Sequence, residues 1–397
     1  MARFVFPSSR RPDGVDVSDW TSWTWQLRHA LKNKNDFERV FKLSPGESEA
    51  FEQGREIFNI RCTPYYASLA GDFEEEPIRR ILMPHRLEMR DGTQQMADPL
   101  GEKRNQAAPR LVHRYSDRAL FLITDFCSVY CRHCTRKHFT GREQALIRPS
   151  EYEEALSYIA SHPGVREVIL SGGDPLTIAD GALERILTDL RAIEHVEIIR
   201  VGTRMPVVAP MRVTDELVRI LRRHGPVYLM THFNHPRELT AEAAQALGRL
   251  VDGGIPVMNQ MVLLNGVNNH AAIVQALSRR LLFLRVKPYY MFQCDPSVGT
   301  DHLRTSIDES LEIQKELWGH LSGLAMPTYA VDIPEGGGKT VLTPNFEIAR
   351  DEHSRRYRGW DGVEASYVNP APERRRLPAD AGVYADEWNE ITRSRKY

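Results

Sequence analysis

Cys127, Cys131 and Cys134 fall close together in a 397-residue chain, in the stretch Cys127-Ser128-Val129-Tyr130-Cys131-Arg132-His133-Cys134. Three thiolates at this spacing can each take one iron of a 4Fe-4S cube and leave the fourth iron without a protein ligand. That open iron is able to chelate the amino and carboxylate groups of a methionine moiety. A structural zinc knuckle is the alternative, with His133 as fourth ligand. Zinc sites usually bring paired, closely spaced ligands from two places, and the sequence holds no second pair. Only five cysteines are present, and the other two, Cys62 and Cys294, stand alone and read as small buried residues. A disulfide scaffold would spread and pair its cysteines, whereas clustered thiols in a reducing compartment bind metal or do redox work.

A second stretch, Asp332-Ile333-Pro334-Glu335-Gly336-Gly337-Gly338-Lys339-Thr340, ends like a phosphate-binding loop. Such a loop needs glycine where Ile333 stands, and Glu335 sets a negative charge where a phosphate would lie. The other chemical reading is a lysine on a flexible glycine segment, whose amine condenses with the aldehyde of pyridoxal phosphate and later yields it to a substrate amine. A plain surface loop is the third. Ser171-Gly172-Gly173-Asp174 also invites weighing, because paired glycines after a strand either make a tight turn or let a ligand approach the backbone.

These motifs need elements to hold them. Apolar, β-branched runs at 119–123, 167–170, 196–201, 227–230, 256–264, 284–291 and 328–333 predict strands. Helical periods separate most of them. One opens at Pro149-Ser150-Glu151 with a capping box, and others carry Leu183, Ile186, Leu187 and Leu190, then Leu217, Ile220 and Leu221 from Thr214 to Gly225, then Leu247, Leu250 and Val251. Repeated βα units make an α/β fold with parallel strands, either a partial barrel or an open doubly wound sheet, with active residues at the C-terminal strand ends. Residues 1–110, with Trp20, Trp23 and Trp25 and helical stretches near 21–33 and 46–58, read as a helical region. The tail after about 345 is less periodic, and Arg374-Arg375-Arg376 reads as solvated surface. Charge balances at 52 basic against 53 acidic residues, so no nucleic-acid footprint is expected. No apolar run approaches the roughly 18 residues of a membrane span and no signal peptide is visible, so a cytosolic protein is expected.

Together with Trp23–Trp25, Thr63-Pro64-Tyr65-Tyr66, His113-Arg114-Tyr115, Leu170-Ser171-Gly172-Gly173-Asp174, Thr231-His232-Phe233-Asn234-His235-Pro236 and Lys287-Pro288-Tyr289-Tyr290, the cysteine stretch resembles the lysine 2,3-aminomutase family of radical S-adenosylmethionine enzymes. The resemblance implies a partial (β/α)6-type barrel over 111–340, a helical N-terminal region over 1–110 and an appendage over 341–397 that makes a subunit contact. It implies a 4Fe-4S cluster on Cys127, Cys131 and Cys134, and S-adenosylmethionine contacts from His133, Ser171, Gly172, Gly173 and Asp174. Lys339 matches the pyridoxal phosphate lysine, while Arg114, Tyr115 and Arg118 resemble the pyridoxal-contacting cluster, Arg118 being the better phosphate candidate. Arg136 matches the arginine for the substrate α-carboxylate, and Asp295 and Asp332 match two aspartates that hold the distal ammonium of lysine. A desolvated ammonium needs paired anionic acceptors, whereas glutamate-specific relatives would require a basic or neutral polar group there.

The implied reaction interconverts L-lysine and L-β-lysine. A 5′-deoxyadenosyl radical takes hydrogen from C3 of lysine held as a pyridoxal aldimine, the nitrogen moves from C2 to C3, and hydrogen returns. Lys339 is then a carrier, not the initiating base. Arginine is the nearest rival substrate, and supply of β-lysine for modification of elongation factor P is a rival role. A cluster-containing binding or regulatory protein without catalysis is the reading from another class. An electron donor such as flavodoxin or ferredoxin and a homo-oligomer are the expected partners. Clostridial-type members add a C-terminal cysteine trio for structural zinc. Nothing beyond Cys294 supplies it here, and His270 stands at the expected partner position, so no zinc is expected.

Overall fold

The apolar runs become strands of one ten-stranded sheet whose spatial order follows the sequence: β1 (Gln106–Ala108), β2 (Leu111–Tyr115), β3 (Arg118–Thr124), β4 (Glu167–Gly172), β5 (Ile198–Gly202), β6 (Val227–Thr231), β7 (Val257–Leu263), β8 (Lys287–Gln293), β9 (Thr328–Ile333) and β10 (Gly338–Val341). The computed structural model describes residues 4–54, 59–90, 92, 94–137, 140–141, 146–371, 376 and 378–393. Strands β3 to β9 pair in parallel, and β1, β2 and β10 add antiparallel edges. Helices Pro149–Ala160, Asp180–Arg191, Asp215–Arg223, Ala241–Asp252, Ala271–Phe283 and Ile307–Leu317 make the crossovers. Because crossovers are right-handed and the order never reverses, the winding runs one way, which removes the doubly wound alternative. The sheet also curls. Arg114 at the end of β2 reaches Asp332 on β9 at 3.3 Å, and the Tyr115 hydroxyl accepts the Lys339 N–H at 2.8 Å, so its two sides meet as in a partial barrel.

Strand β7 alternates buried and half-buried positions along its length. The helical stripe Leu183, Ile186, Leu187 and Leu190 is buried as its spacing predicts. Each such side chain contributes roughly 1.5–3 kcal/mol by leaving water. One continuous buried cluster extends from Trp20 through the barrel to Tyr329.

Several local expectations change. The helix at Pro149 is capped by Arg148, whose backbone N–H meets Glu151 at 3.4 Å, and Ser150 lies inside its first turn. The predicted stretch 21–33 is a short helix, Trp23–Arg28, because Leu31 leaves helical geometry to bridge Cys62 and Asn33 caps the next helix. The stretch 46–58 is Pro45–Gln53, opened by a Ser44–Glu47 capping box and ended at Gly54, and residues 55–58 lie outside the described residues. In the tail, which gave no strand signal, β11 (Glu347–Arg350), β12 (Ser354–Arg358) and β13 (Glu364–Val368) form an antiparallel sheet, followed by a helix at Ala385–Arg393. Arg374 and Arg375 lie outside the described residues. Among the described residues no helix is long and apolar enough to cross a membrane.

Candidate active site

The cysteine loop leaves the C-terminal end of β3 and lies directly on the end of β4. Gly173 N–H donates to Thr124 O at 2.6 Å and Asp174 N–H to Phe126 O at 2.8 Å. A Cβ on Gly172, whose φ is +125°, would stand 2.0 Å from Thr124 O, and one on Gly173 2.2 Å from Phe126 O. The two glycines are therefore required first by backbone against backbone. From the other side the loop is gripped by residues that precede the barrel. Buried Arg132 forms a fork on buried Glu88 at 2.8 and 2.6 Å, and Lys137 joins Glu88 at 3.4 Å. Such a pair is costly to break, because either partner alone would be an uncompensated buried charge.

Burial, and after it the neighbouring thiol of Cys134, pushes Cys127 well up, and burial likewise raises Cys134. Arg204 donates to the sulfur of Cys131 at 2.8 Å. Arg204 is anchored by Glu238 at 2.7 Å and the Tyr66 hydroxyl at 2.8 Å. Among the described residues no three His, Cys, Asp or Glu side chains are arranged for a single metal ion. A cube bound through one iron per thiolate does not ask them to converge, and three thiols facing one cavity fit it. His133 faces the same cavity with a buried Nδ1 that has no hydrogen-bond partner among the described residues. Burial holds His133 well below the usual imidazole range, and burial followed by Arg204 and Arg136 brings His232 down to about 4, so both rings are neutral donors or acceptors.

Asp174, a cofactor contact in the resemblance, lines the cavity while its oxygens also accept bonds from the fold. They accept from Leu176 N–H at 3.0 Å, Thr203 Oγ1 at 2.6 Å and Arg204 N–H at 2.7 Å. It braces the end of β5, which positions Arg204. Ser171 accepts from Arg136 Nη1 at 3.2 Å. Arg136 also meets a partner that sequence reasoning missed, Glu102, through Nε at 2.9 and 3.0 Å and Nη2 at 2.5 Å. Burial would lower the Arg136 guanidinium, but Glu102 and, after it, Cys134 and Cys127 together turn the net shift upward.

At the far wall, β9 and β10 form a hairpin in which Lys339 is the direct cross-strand partner of Asp332. Lys339 is thus on a strand, not on a loose glycine loop. The glycines serve the turn, where Gly336 and Gly338 have φ of +91° and +85°. The seven-residue spacing of Asp332 and Lys339 is this register, since directly opposed residues share a face. Lys339 Nζ lies 3.4 Å from Asp332 and 5.2 Å from the centroid of the Phe292 ring. Burial, and then Asp332, push Asp295 up to about 7. Arg118 stacks 4.0 Å over the Tyr115 ring, with Arg114 at 5.1 Å. An amine beside two guanidinium groups and aromatic rings suits a pyridine aldehyde that carries a phosphate.

Every site residue that the resemblance implies lines one cavity of about 470 Å³: Cys127, Cys131, His133 and Cys134; Arg136; Ser171 to Asp174; Arg114, Tyr115 and Arg118; Asp295, Asp332 and Lys339. Glu102, Arg204, His232 and Phe292 line it too. Arg204 could have been suspected from its place two residues past β5. Glu102 left no signal, as a lone acid in a stretch without periodicity.

A family model described as the radical SAM superfamily matches residues 121–274, and one described as lysine-2,3-aminomutase matches residues 314–396. The L-lysine 2,3-aminomutase of Fusobacterium nucleatum is 44% identical over 90% of this chain and 84% of its own length. That of Clostridium subterminale is 42% identical over 90% of this chain and 86% of its own. The glutamate 2,3-aminomutase of Clostridioides difficile is 39% identical over 87% of this chain and 82% of its own.

Proposed function

Because this chain belongs to the lysine 2,3-aminomutase family of radical SAM enzymes and is an isomerase, we propose that it interconverts L-lysine and L-β-lysine, with pyridoxal phosphate held at Lys339. The family brings a 4Fe-4S cluster and S-adenosylmethionine. The relatives named for lysine reach 44% identity and the one named for glutamate, more distant, 39%, and likeness alone does not settle the substrate. The observation that carries lysine is the carboxylate pair Asp295 and Asp332 in the same cavity as the Arg136 guanidinium. One end is built for a cation and the other for a carboxylate, which is the charge pattern of a basic amino acid and the opposite of glutamate's side chain.

When bound, pyridoxal phosphate supplies a carbon that holds the migrating nitrogen, and the cluster with S-adenosylmethionine supplies the 5′-deoxyadenosyl radical. Cys127, Cys131 and Cys134 would hold the cluster, with Arg204 donating to Cys131. His133, Ser171, Gly172 and Gly173 are read as flanking S-adenosylmethionine, and Asp174 as the brace behind them. Arg114, Tyr115 and Arg118 would hold the pyridoxal ring and phosphate. Arg136 orients the substrate carboxylate while Asp295 and Asp332 fix its distal ammonium, so C2 and C3 are stretched between two anchored ends. Lys339 would hold the pyridoxal aldehyde carbon and yield it to the substrate amine, and it moves no proton at C3. An external one-electron donor such as flavodoxin or ferredoxin would reduce the cluster. The tail is read as a subunit contact of a homo-oligomer, since Trp360, Tyr367, Tyr384 and Trp388 are all more than half exposed.

Anaerobic reconstitution followed by NMR of separate lysine, arginine and glutamate incubations tests the reading. β-Lysine is the expected product. Isomerisation of arginine or glutamate without β-lysine would overturn the substrate and leave the chemistry. Lys339→Ala should remove the yellow pyridoxal absorbance while retaining the brown cluster.

A further inference from the structure

Glu102 is bound to Arg136 along one particular edge. Its oxygens take Nε and Nη2 at 2.5 to 3.0 Å, and Ser171 takes Nη1 at 3.2 Å. A guanidinium has two forks: the Nε/Nη2 edge and the Nη1/Nη2 end. Five N–H groups in a fixed plane let one carboxylate fill the edge while the end stays available to another. Glu102 does not float. Its backbone N–H and that of Lys103 are both held at 2.9 Å by the Asp98 carboxylate, and Asn105 closes the turn on Gly101 O at 2.8 Å.

The same turn is docked on the lysine hairpin. Pro99 O accepts Glu335 N–H at 3.2 Å, Leu100 O accepts Arg114 Nη1 at 2.9 Å, and a Cβ on Gly101 would lie 2.7 Å from the Glu335 and Gly336 backbone. One segment therefore touches the carboxylate end of the cavity and the ammonium and pyridoxal wall.

We infer that Glu102 is a positioning residue: it fixes the Arg136 guanidinium by its Nε/Nη2 edge so that the Nη1/Nη2 end faces the cavity as the fork for the substrate's α-carboxylate. This rests on Arg136 being the carboxylate site in the proposed reaction. An untethered arginine could rotate to other partners, and the fork would have to be ordered anew with each substrate. The Asp98–Asn105 turn also sets where that fork stands relative to Lys339, and hence the span between substrate carboxylate and pyridoxal.

Anaerobic calorimetric titration of the reconstituted holoenzyme with L-lysine and with cadaverine, which has both amines and no carboxylate, separates the possibilities. Glu102→Gln, which removes the charge and sets an NH2 donor where Oε2 accepts from Nε, should weaken L-lysine about tenfold, the size of one charge-assisted hydrogen bond. Cadaverine should stay within about twofold, as expected of a change that does not reach its site. In turnover the loss should fall on KM, with kcat little changed. Should Glu102→Gln load cofactors poorly, Glu102→Asp keeps the charge, stands one methylene further from the guanidinium edge, and should show a smaller loss of the same lysine-only kind. Equal weakening of lysine and cadaverine would make Glu102 a mere packing residue and overturn the inference. Unchanged lysine binding in Glu102→Gln, with binding lost in Arg136→Gln, would overturn it and leave Arg136 as the carboxylate site. Unchanged lysine binding in Arg136→Gln would remove the reading beneath it.

Discussion

At the scale of residues, the cavity holds charges whose state depends on what is bound. Asp295 is raised to about 7 by burial and then by Asp332, with Lys339, Arg114 and Arg304 pulling the other way. A distal ammonium between the two aspartates favours the ionised form, so substrate binding and loss of this proton go together. Between pH 6 and pH 8 the ionised fraction of a group titrating near 7 rises about tenfold, so lysine affinity should strengthen by about that factor over this range. Asp295→Asn should flatten the profile of KM against pH and raise KM throughout. Arg204 sets a second expectation, because hydrogen bonds to ligating sulfurs tune cluster potentials. Arg204→Lys, too short to serve both Glu238 and Cys131, should move the cluster's reduction potential negative by roughly tens of millivolts, read by an EPR-monitored redox titration. Much of this site was legible in residue types: a thiol triplet, a lysine after glycines and two aspartates announce their chemistry. Glu102 was not, because a lone acid acquires a role only from the partner that the fold brings to it, and Arg204 offered no more than its place just past β5.

At the scale of elements, the parallel strands and their helices were legible because burial on both faces forces apolar runs and helical stripes. The tail's sheet was not, since β13 is exposed along its whole length and carries no alternation to read. The character of the Lys339 segment was also hidden. Its glycines suggested mobility, whereas they make the turn of a hairpin that locks Lys339 opposite Asp332. The glycines after β4 give the sharpest test. Gly172→Ala would drive a methyl into Thr124 O at a positive φ that alanine resists. The cysteine loop must then lift from β4, so iron and sulfide content after reconstitution should fall several-fold, and a strained site of this kind costs about 1–3 kcal/mol. Retention of a full cluster in Gly172→Ala would show that the loop does not depend on this contact.

At the scale of the whole molecule, the N-terminal helices are not an accessory. Tyr66 reaches Glu238, Glu238 holds Arg204, and Glu88 holds the loop through Arg132, while the buried cluster runs unbroken from Trp20 into the barrel. Calorimetry should therefore show this region melting with the barrel in one transition; a separate early transition assigned to residues before 110 would contradict it. The closure of the sheet has a further consequence. Its two sides are joined by Arg114 to Asp332 and by Tyr115 to Lys339, across 218 and 224 residues, and by turns packed on turns. Among the described residues no strand ladder crosses this seam. Because it joins residues so far apart in the chain, its closure carries a larger entropic cost than the pairing of any two neighbouring strands. A ligand that parted these two sides would break side-chain and turn contacts rather than a strand ladder, so the closing of the barrel rests on Arg114 and Tyr115 more than on backbone pairing.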